Sequence, residues 1–265
     1  MEGGKIRTFS IVGAGNVASH IGTALKSAGY ECLGIIARGS SNSMPLATEL
    51  QSKLVDDFEV FKGLGADLII FAVPDDSITS LSERLAGVEG LIVHTSGTKS
   101  MSIFKENFSH YGVFYPLQSF SKDTYVAFSE VPICLEASSD ATMSCLKEVA
   151  HNVSDVVREV PGEKRAYLHL AAVFVNNFTN HLLAEAEKLC KQQGNDFALF
   201  EPLARETIKK AFQYNPHDAQ TGPARRGDSS VLESHYEMLA DDPELQELYN
   251  NLATSILRKY HGNFG

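Results

Sequence analysis

Thr8-Phe9-Ser10-Ile11-Val12-Gly13-Ala14-Gly15-Asn16-Val17-Ala18-Ser19-His20-Ile21-Gly22 carries two apolar periodicities joined by a glycine turn. Thr8 to Val12 reads as a strand, and apolar residues then recur at helical spacing at Val17, Ile21, Ala24 and Leu25. The joint, Gly13 to Ala18, is G-x-G-x-x-A, the fingerprint of a dinucleotide-binding β-α-β unit when it lies between those elements. Gly13 permits the tight turn, Gly15 leaves the backbone open to a pyrophosphate, and Ala18 lets the helix sit close on the strand. Gly13, Ala14, Gly15, Asn16 and Val17 are therefore the candidate phosphate cradle, where a helix start offers unpaired N–H groups and a positive dipole end.

Outward from this turn, Glu31 to Ala37 reads as the second parallel strand. An NAD-preferring site places an acid at its end, roughly 20 residues beyond the glycines, to bond the ribose hydroxyls. Here Arg38-Gly39-Ser40-Ser41-Asn42-Ser43 follows instead. Arg38 and Ser40 suit a 2′-phosphate and predict NADP; the competing reading is a polar turn whose arginine faces water. Met44 to Lys53 reads as a helix and Val55 to Phe58 as a short strand. Asp67 to Val73 is a continuous apolar run, as a central strand covered on both faces requires, and it stops at Pro74. Val73 and Pro74 thus stand on the glycine-loop rim. Gly90 to His94 is a further strand, followed by Thr95-Ser96-Gly97 at the same rim, where open α/β sheets bind ligands. His94 and Thr95 are assigned to the cofactor and Ser96 to the reacting centre. Tyr111 to Tyr115 gives a sixth strand, and Tyr115 and Gln118 are assigned to the substrate. Val131 to Glu136, a helix near Ala141 to Ala150, and Val156 to Val160 extend the sheet.

The period changes from strand to helix after Pro161-Gly162, which places a domain boundary near residue 161. The expected fold is a mostly parallel, doubly wound α/β domain over 1–161 and an all-α domain over 162–265. Lys164 to Gln193 reads as one long helix closed by Gly194. On it His169, Asn176 and Asn180 fall in one stripe, at i, i+7 and i+11. Their apolar surroundings predict that this half of the helix is buried, with the stripe lining a cleft or bonding neighbouring helices. His181, beside Glu185 and Glu187, is expected at the surface. Further helices are expected from Asp196, from Ser230 and after Asp242-Pro243, with Arg225 and Arg226 on a loop between them.

The chain has 265 residues, 43% hydrophobic and 21% charged, as an ordinary globular protein of about two domains has. Its formal charge of −10 excludes non-specific nucleic-acid binding, and no apolar run approaches membrane-spanning length. The expected location is cytoplasmic. Cys32, Cys134, Cys145 and Cys190 have neither disulfide-framework nor zinc-site spacing, and no metal is expected. The helical domain's spare apolar face predicts a homodimer through the C-terminal helices.

This order of domains resembles the 6-phosphogluconate dehydrogenase-like enzymes, which include ketopantoate reductase, prephenate dehydrogenase and pyrroline-5-carboxylate reductase. Three stretches are similar to a subgroup of predicted NADP oxidoreductases: His94-Thr95-Ser96-Gly97, Tyr115-Pro116-Leu117-Gln118-Ser119-Phe120 and Thr221-Gly222-Pro223-Ala224-Arg225-Arg226-Gly227-Asp228. The resemblance implies a Rossmann domain and NADP-linked redox chemistry. Two departures bear on the mechanism. In the β-hydroxyacid enzymes a lysine on the long helix, with an asparagine four residues on, handles the substrate carbonyl; Lys164 here has Leu168 at that offset. In the subgroup a histidine more often precedes Pro-Leu, where Tyr115 stands here.

The expected activity is hydride transfer between NADPH and a small carbonyl or imine, possibly one carrying a carboxylate. His169 is the candidate proton donor, since imidazoles as a class titrate near neutrality; its alternative is a core histidine. Asn176 would orient the substrate, with Asn180 beside it, and Arg225 or Arg226 would bind an anion. The second reading is a protein that senses NADP(H) without turnover. In that case the face beside the cofactor would be filled with apolar side chains.

Overall fold

The structure is a computed structural model that describes residues 5–37, 39–122 and 124–262. The first strand, β1 (Thr8–Val12), turns at the glycines into α1 (Asn16–Ser27). There follow β2 (Glu31–Ile36), α2 (Ser40–Leu50), β3 (Lys53–Val55), α3 (Phe58–Lys62), β4 (Leu68–Phe71) and α4 (Asp75–Arg84). Next come β5 (Leu91–His94), β6 (Tyr111–Pro116), β7 (Ile133–Ala137), α5 (Asp140–His151) and β8 (Val157–Glu159). They form one eight-stranded sheet in the order β3-β2-β1-β4-β5-β6-β7-β8. Every neighbouring pair is parallel except β6 and β7, which run antiparallel with Tyr115 opposite Cys134. The expected Rossmann architecture is therefore present, with the strand order reversing between β1 and β4. The carboxyl ends of those two strands meet at the switch point, where such sheets leave a crevice.

Side-chain alternation explains the two larger of the three cores. Phe9 and Ile11 of β1 and Leu68 and Ile70 of β4 fill one face of the sheet; Val12, Ile69 and Phe71 fill the other. All four residues of β4 are buried, as its unbroken apolar run requires. Two boundaries differ from the sequence reading. Gln51 adopts a left-handed backbone (φ 54°), which ends α2 before Lys53 and lets β3 begin there. The segment expected as strand to Phe58 instead starts α3, because the Asp57 carboxylate accepts the Val60 N–H and caps it.

Beyond β8 the chain is helical. The long helix is continuous from Gly162 but changes type: α6 (Gly162–Ala172), a π-helical stretch (Val173–Phe178) and α7 (Thr179–Gln192). Gly194, at φ +69°, lies just beyond its end, as a left-handed glycine there should. After a 3₁₀ turn at Phe197–Phe200 come α8 (Glu201–Tyr214), α9 (Pro216–Ala219), α10 (Pro223–Arg226), α11 (Ser229–Met238) and α12 (Pro243–His261). The Asp242 carboxylate caps α12 by accepting the Leu245 N–H. The compact units of the chain are residues 1–177 and 178–265, dividing inside the π-helical stretch, whereas the change of period lies at residue 161.

The expectation of a buried helix around His169 is corrected. Tyr167 is 75% exposed, Leu170 52%, Phe174 61% and Val175 64%. Within α6 only Arg165 is buried. An all-round apolar helix can seat one stripe on the sheet, and in a single chain the opposite stripe stays open to solvent.

Candidate cofactor and substrate site

Gly13, Ala14, Gly15, Ala37, Val73 and Pro74 line one cavity of about 500 Å³ at the switch point. The two motif glycines are needed for different reasons. Gly13 sits at φ +115°, and a Cβ there would lie 2.2 Å from the Ala72 carbonyl oxygen. Gly15 has an ordinary extended backbone (φ −82°), and a Cβ on it would meet no atom within 4 Å. The space above Gly15 is thus vacant of protein. The α1 N-terminus behind it carries no side-chain cap and no acidic residue in its first turn. Such an uncapped start beside an open glycine fits a pyrophosphate.

Asn16 and Val17 do other work with their side chains. The Asn16 amide donates to the Phe120 carbonyl (2.8 Å) and ties α1 to the segment after β6. Val17 packs on the core. Arg38 lies outside the described residues, as does the side chain of Ser40. Asp56, Phe58 and Arg84 also line this cavity, and the sequence reading missed them. The Arg84 guanidinium stands 3.7 Å from the centre of the Phe58 ring. No local pattern joins these positions, and only the fold brings α3 and α4 together over β4.

His94 was assigned to the cofactor, and the structure withdraws it from the rim. Its ring is 0% exposed and lies 5.5 Å from that of Phe104. Burial, and then the nearby Arg165 charge, push its pKa down to about 4, against weaker opposing pulls from Asp75 and the Ser100 backbone. The neutral Nδ1 accepts the Ser96 N–H (3.2 Å), so His94 props the loop from below. Thr95 turns both its N–H and its hydroxyl to the Phe71 carbonyl. The Ser96 hydroxyl, assigned to catalysis, accepts the N–H groups of Thr98 and Lys99 at 3.1 and 3.0 Å. It is 8% exposed and shapes the turn.

A second cavity, of about 540 Å³, is lined by Tyr115, Gln118, His169, Asn176 and Asn177 among others. The Tyr115 hydroxyl meets His169 Nδ1 at 3.0 Å. Burial, then the neighbouring Cys134, hold the Tyr115 pKa up at about 12, with Arg165 opposing. The phenol therefore stays protonated, and its hydroxyl can donate to a bare Nδ1 or accept from an Nδ1–H. Gly97 makes this packing possible: a Cβ on it would stand 2.7 Å from His169 Nδ1. The β5 loop, the end of β6 and α6 thus converge on one imidazole. The Gln118 side chain, on the cavity wall, accepts the Ser119 N–H (2.8 Å).

The predicted stripe is brought together only in part. His169 and Asn176 share this cavity, whereas Asn180 belongs to the 178–265 unit and is not among its lining residues. Arg225 and Arg226, in α10, belong to that unit as well, and both are engaged. The Arg225 guanidinium lies 4.2 Å from the centre of the Tyr260 ring, and Arg226 pairs with Asp228 at 2.7 Å. Another functional candidate escaped the sequence reading. Arg165 is wholly buried, and its guanidinium bonds both the Glu136 carboxylate and the Lys99 carbonyl.

Comparison with known proteins agrees with this layout. A model described as a Rossmann-like domain matches residues 5–114, and the DUF2520 domain of unknown function matches residues 131–256. No curated protein matches the sequence. Among solved structures, a predicted NADP oxidoreductase from Bacteroides fragilis is 36% identical, with a TM-score of 0.88 over 96% of this chain and 98% of that one. The imine reductase from Myxococcus stipitatus, in complex with NADP+, shares the fold at 16% identity (TM-score 0.64, covering 94% and 91%). The reductive aminase from Aspergillus terreus, in complex with NADPH and ethyl levulinate, does so at 14% identity (TM-score 0.69, covering 97% and 96%). In its motifs, its two matched domains and its full-length similarity, this chain belongs to the family of Rossmann-like proteins with a DUF2520 helical domain that includes the Bacteroides fragilis protein.

Proposed function

We propose that the protein is an NADP(H)-dependent oxidoreductase that reduces a small carbonyl or imine. The observation that carries this is the Tyr115–His169 pair lining a cavity, in the same compact unit as the glycine-turn cavity. NADPH, which the names of two structural relatives place in theirs in one redox form or the other, supplies the hydride when bound. Gly13 and Gly15 would hold its pyrophosphate, and Arg38 would select the 2′-phosphate. His169 would, in its protonated form, give its Nε2 proton to the reduced atom and be left as the neutral ring, with the Tyr115 hydroxyl holding Nδ1 from behind. Asn176 would orient the acceptor with its amide.

The cavity lining supports an uncharged acceptor over a carboxylate-bearing one. Among the described residues, no lysine or arginine lines the cavity. It also supports turnover over sensing, because polar groups share the wall with apolar ones. Calorimetric titration of NADPH and NADH tests the cofactor. NADPH is expected to bind at least about tenfold tighter, with the margin lost in Arg38→Ala; equal affinities in wild type would refute the preference.

The exposed apolar stripe of α6 and the π-helical stretch supports a homodimer through the helical region. Sedimentation should give twice the 28.9 kDa chain mass at micromolar concentration, and a concentration-independent monomer would end the idea.

A further inference from the structure

Arg165 joins three elements that meet at the reduction site. It lies in the first turn of α6, where its N–H donates to the Pro161 carbonyl (2.9 Å). From there one arm of the guanidinium pairs with Glu136 of β7, and the other donates to the carbonyl of Lys99, after β5. Glu136 stands opposite Val113 in the β6–β7 ladder, one side-chain repeat from the Tyr115–Cys134 pair. Lys99 closes the turn whose N–H groups are gathered by Ser96, and Gly97 within that turn abuts the His169 ring. His169 itself follows Arg165 by four residues, on the same face of the helix.

We infer that Arg165 is a positioning residue: by clamping the β5 turn to β7 beneath α6, it fixes the His169 ring against the Tyr115 hydroxyl. The planar fork is what the role requires. Two donors at a fixed angle reach a carboxylate and a carbonyl on different elements, which a single ammonium does not reproduce. A buried charge chosen for stability alone would be an odd choice, since well-packed apolar side chains serve that purpose as well or better. The position within one helical turn of the imidazole accounts for it. The catalytic part of this inference rests on the reductase reading, whereas the clamp does not.

The test compares Arg165→Lys with the double variant Arg165→Met/Glu136→Met, which removes both charges and leaves neither stranded. Histidine ¹⁵N spectra at pH 8, assigned with His169→Gln, report the tautomer without any turnover. Wild type is expected to show His169 as a single tautomer, and both folded variants a mixture. The kcat for NADPH-dependent reduction should fall about tenfold or more, with NADPH affinity unchanged. Folded variants that keep the wild-type tautomer, or variants that both unfold, would reduce Arg165 to a fold-stabilising ion pair and overturn the inference. A lost tautomer in a protein whose wild type transfers no hydride would instead sink the reductase reading and leave the clamp standing.

Discussion

Replacing His169 by Ala is expected to lower kcat for imine or carbonyl reduction by about 10²–10⁴-fold, the usual contribution of a positioned general acid. NADPH affinity, read by calorimetry, should stay within about twofold, because His169 is not among the residues lining the glycine-turn cavity. Tyr115→Phe should lose less, about tenfold: the imidazole keeps its place against Gly97 but no longer has a hydroxyl at Nδ1. The order matters as much as the sizes. If Tyr115→Phe were the more damaging of the two, the tyrosine would be the donor and the histidine its support. A His169→Ala enzyme within about threefold of wild type would make His169 a packing residue.

The second large effect separates the two motif glycines. Gly13→Ala should cost about 3 kcal/mol of stability, since φ +115° is strained for alanine and its Cβ would press on the Ala72 backbone. Urea denaturation measures this directly. Gly15→Val should leave stability within about 1 kcal/mol, because its backbone is ordinary and the space beside it is open. It should nevertheless weaken NADPH binding about a hundredfold, by putting a branched side chain where the pyrophosphate would lie. Undiminished NADPH binding in Gly15→Val would move the cofactor away from this turn.

These contrasts mark what the sequence could and could not disclose. Strand β4 was legible because the six consecutive apolar residues from Leu68 to Val73, stopped by Pro74, suit a strand buried on both faces, and Gly13 because φ above zero leaves few other choices. The His169–Asn176 pairing was legible from helical phase alone. The π-helical turn at Val173–Phe178 was not, since nothing in an apolar helix announces a change of hydrogen-bond register. His94 and Ser96 were read as rim residues because one ends a strand and the other lies just past it. Whether such a side chain points to ligand or core depends on a neighbour such as Phe104, from another element. Arg165 was invisible for the same reason: its partners at Glu136 and Lys99 are 29 and 66 residues away. Arg225 and Arg226 were read as an anion site on a loop; the structure puts them in a short helix, with Arg225 over the Tyr260 ring and Arg226 paired with Asp228.

The central claim is that hydride passes from NADPH to an uncharged acceptor beside His169. Incubating the wild-type protein with 4-deuterated NADPH and a panel of small imines and ketones, followed by mass spectrometry of the products, tests it most directly. The account predicts deuterium on the former imine or carbonyl carbon, from one face of the nicotinamide only, and its loss in His169→Ala. Tight NADPH binding with no label transferred to any acceptor, charged or uncharged, would contradict it and leave a nucleotide-binding protein without turnover.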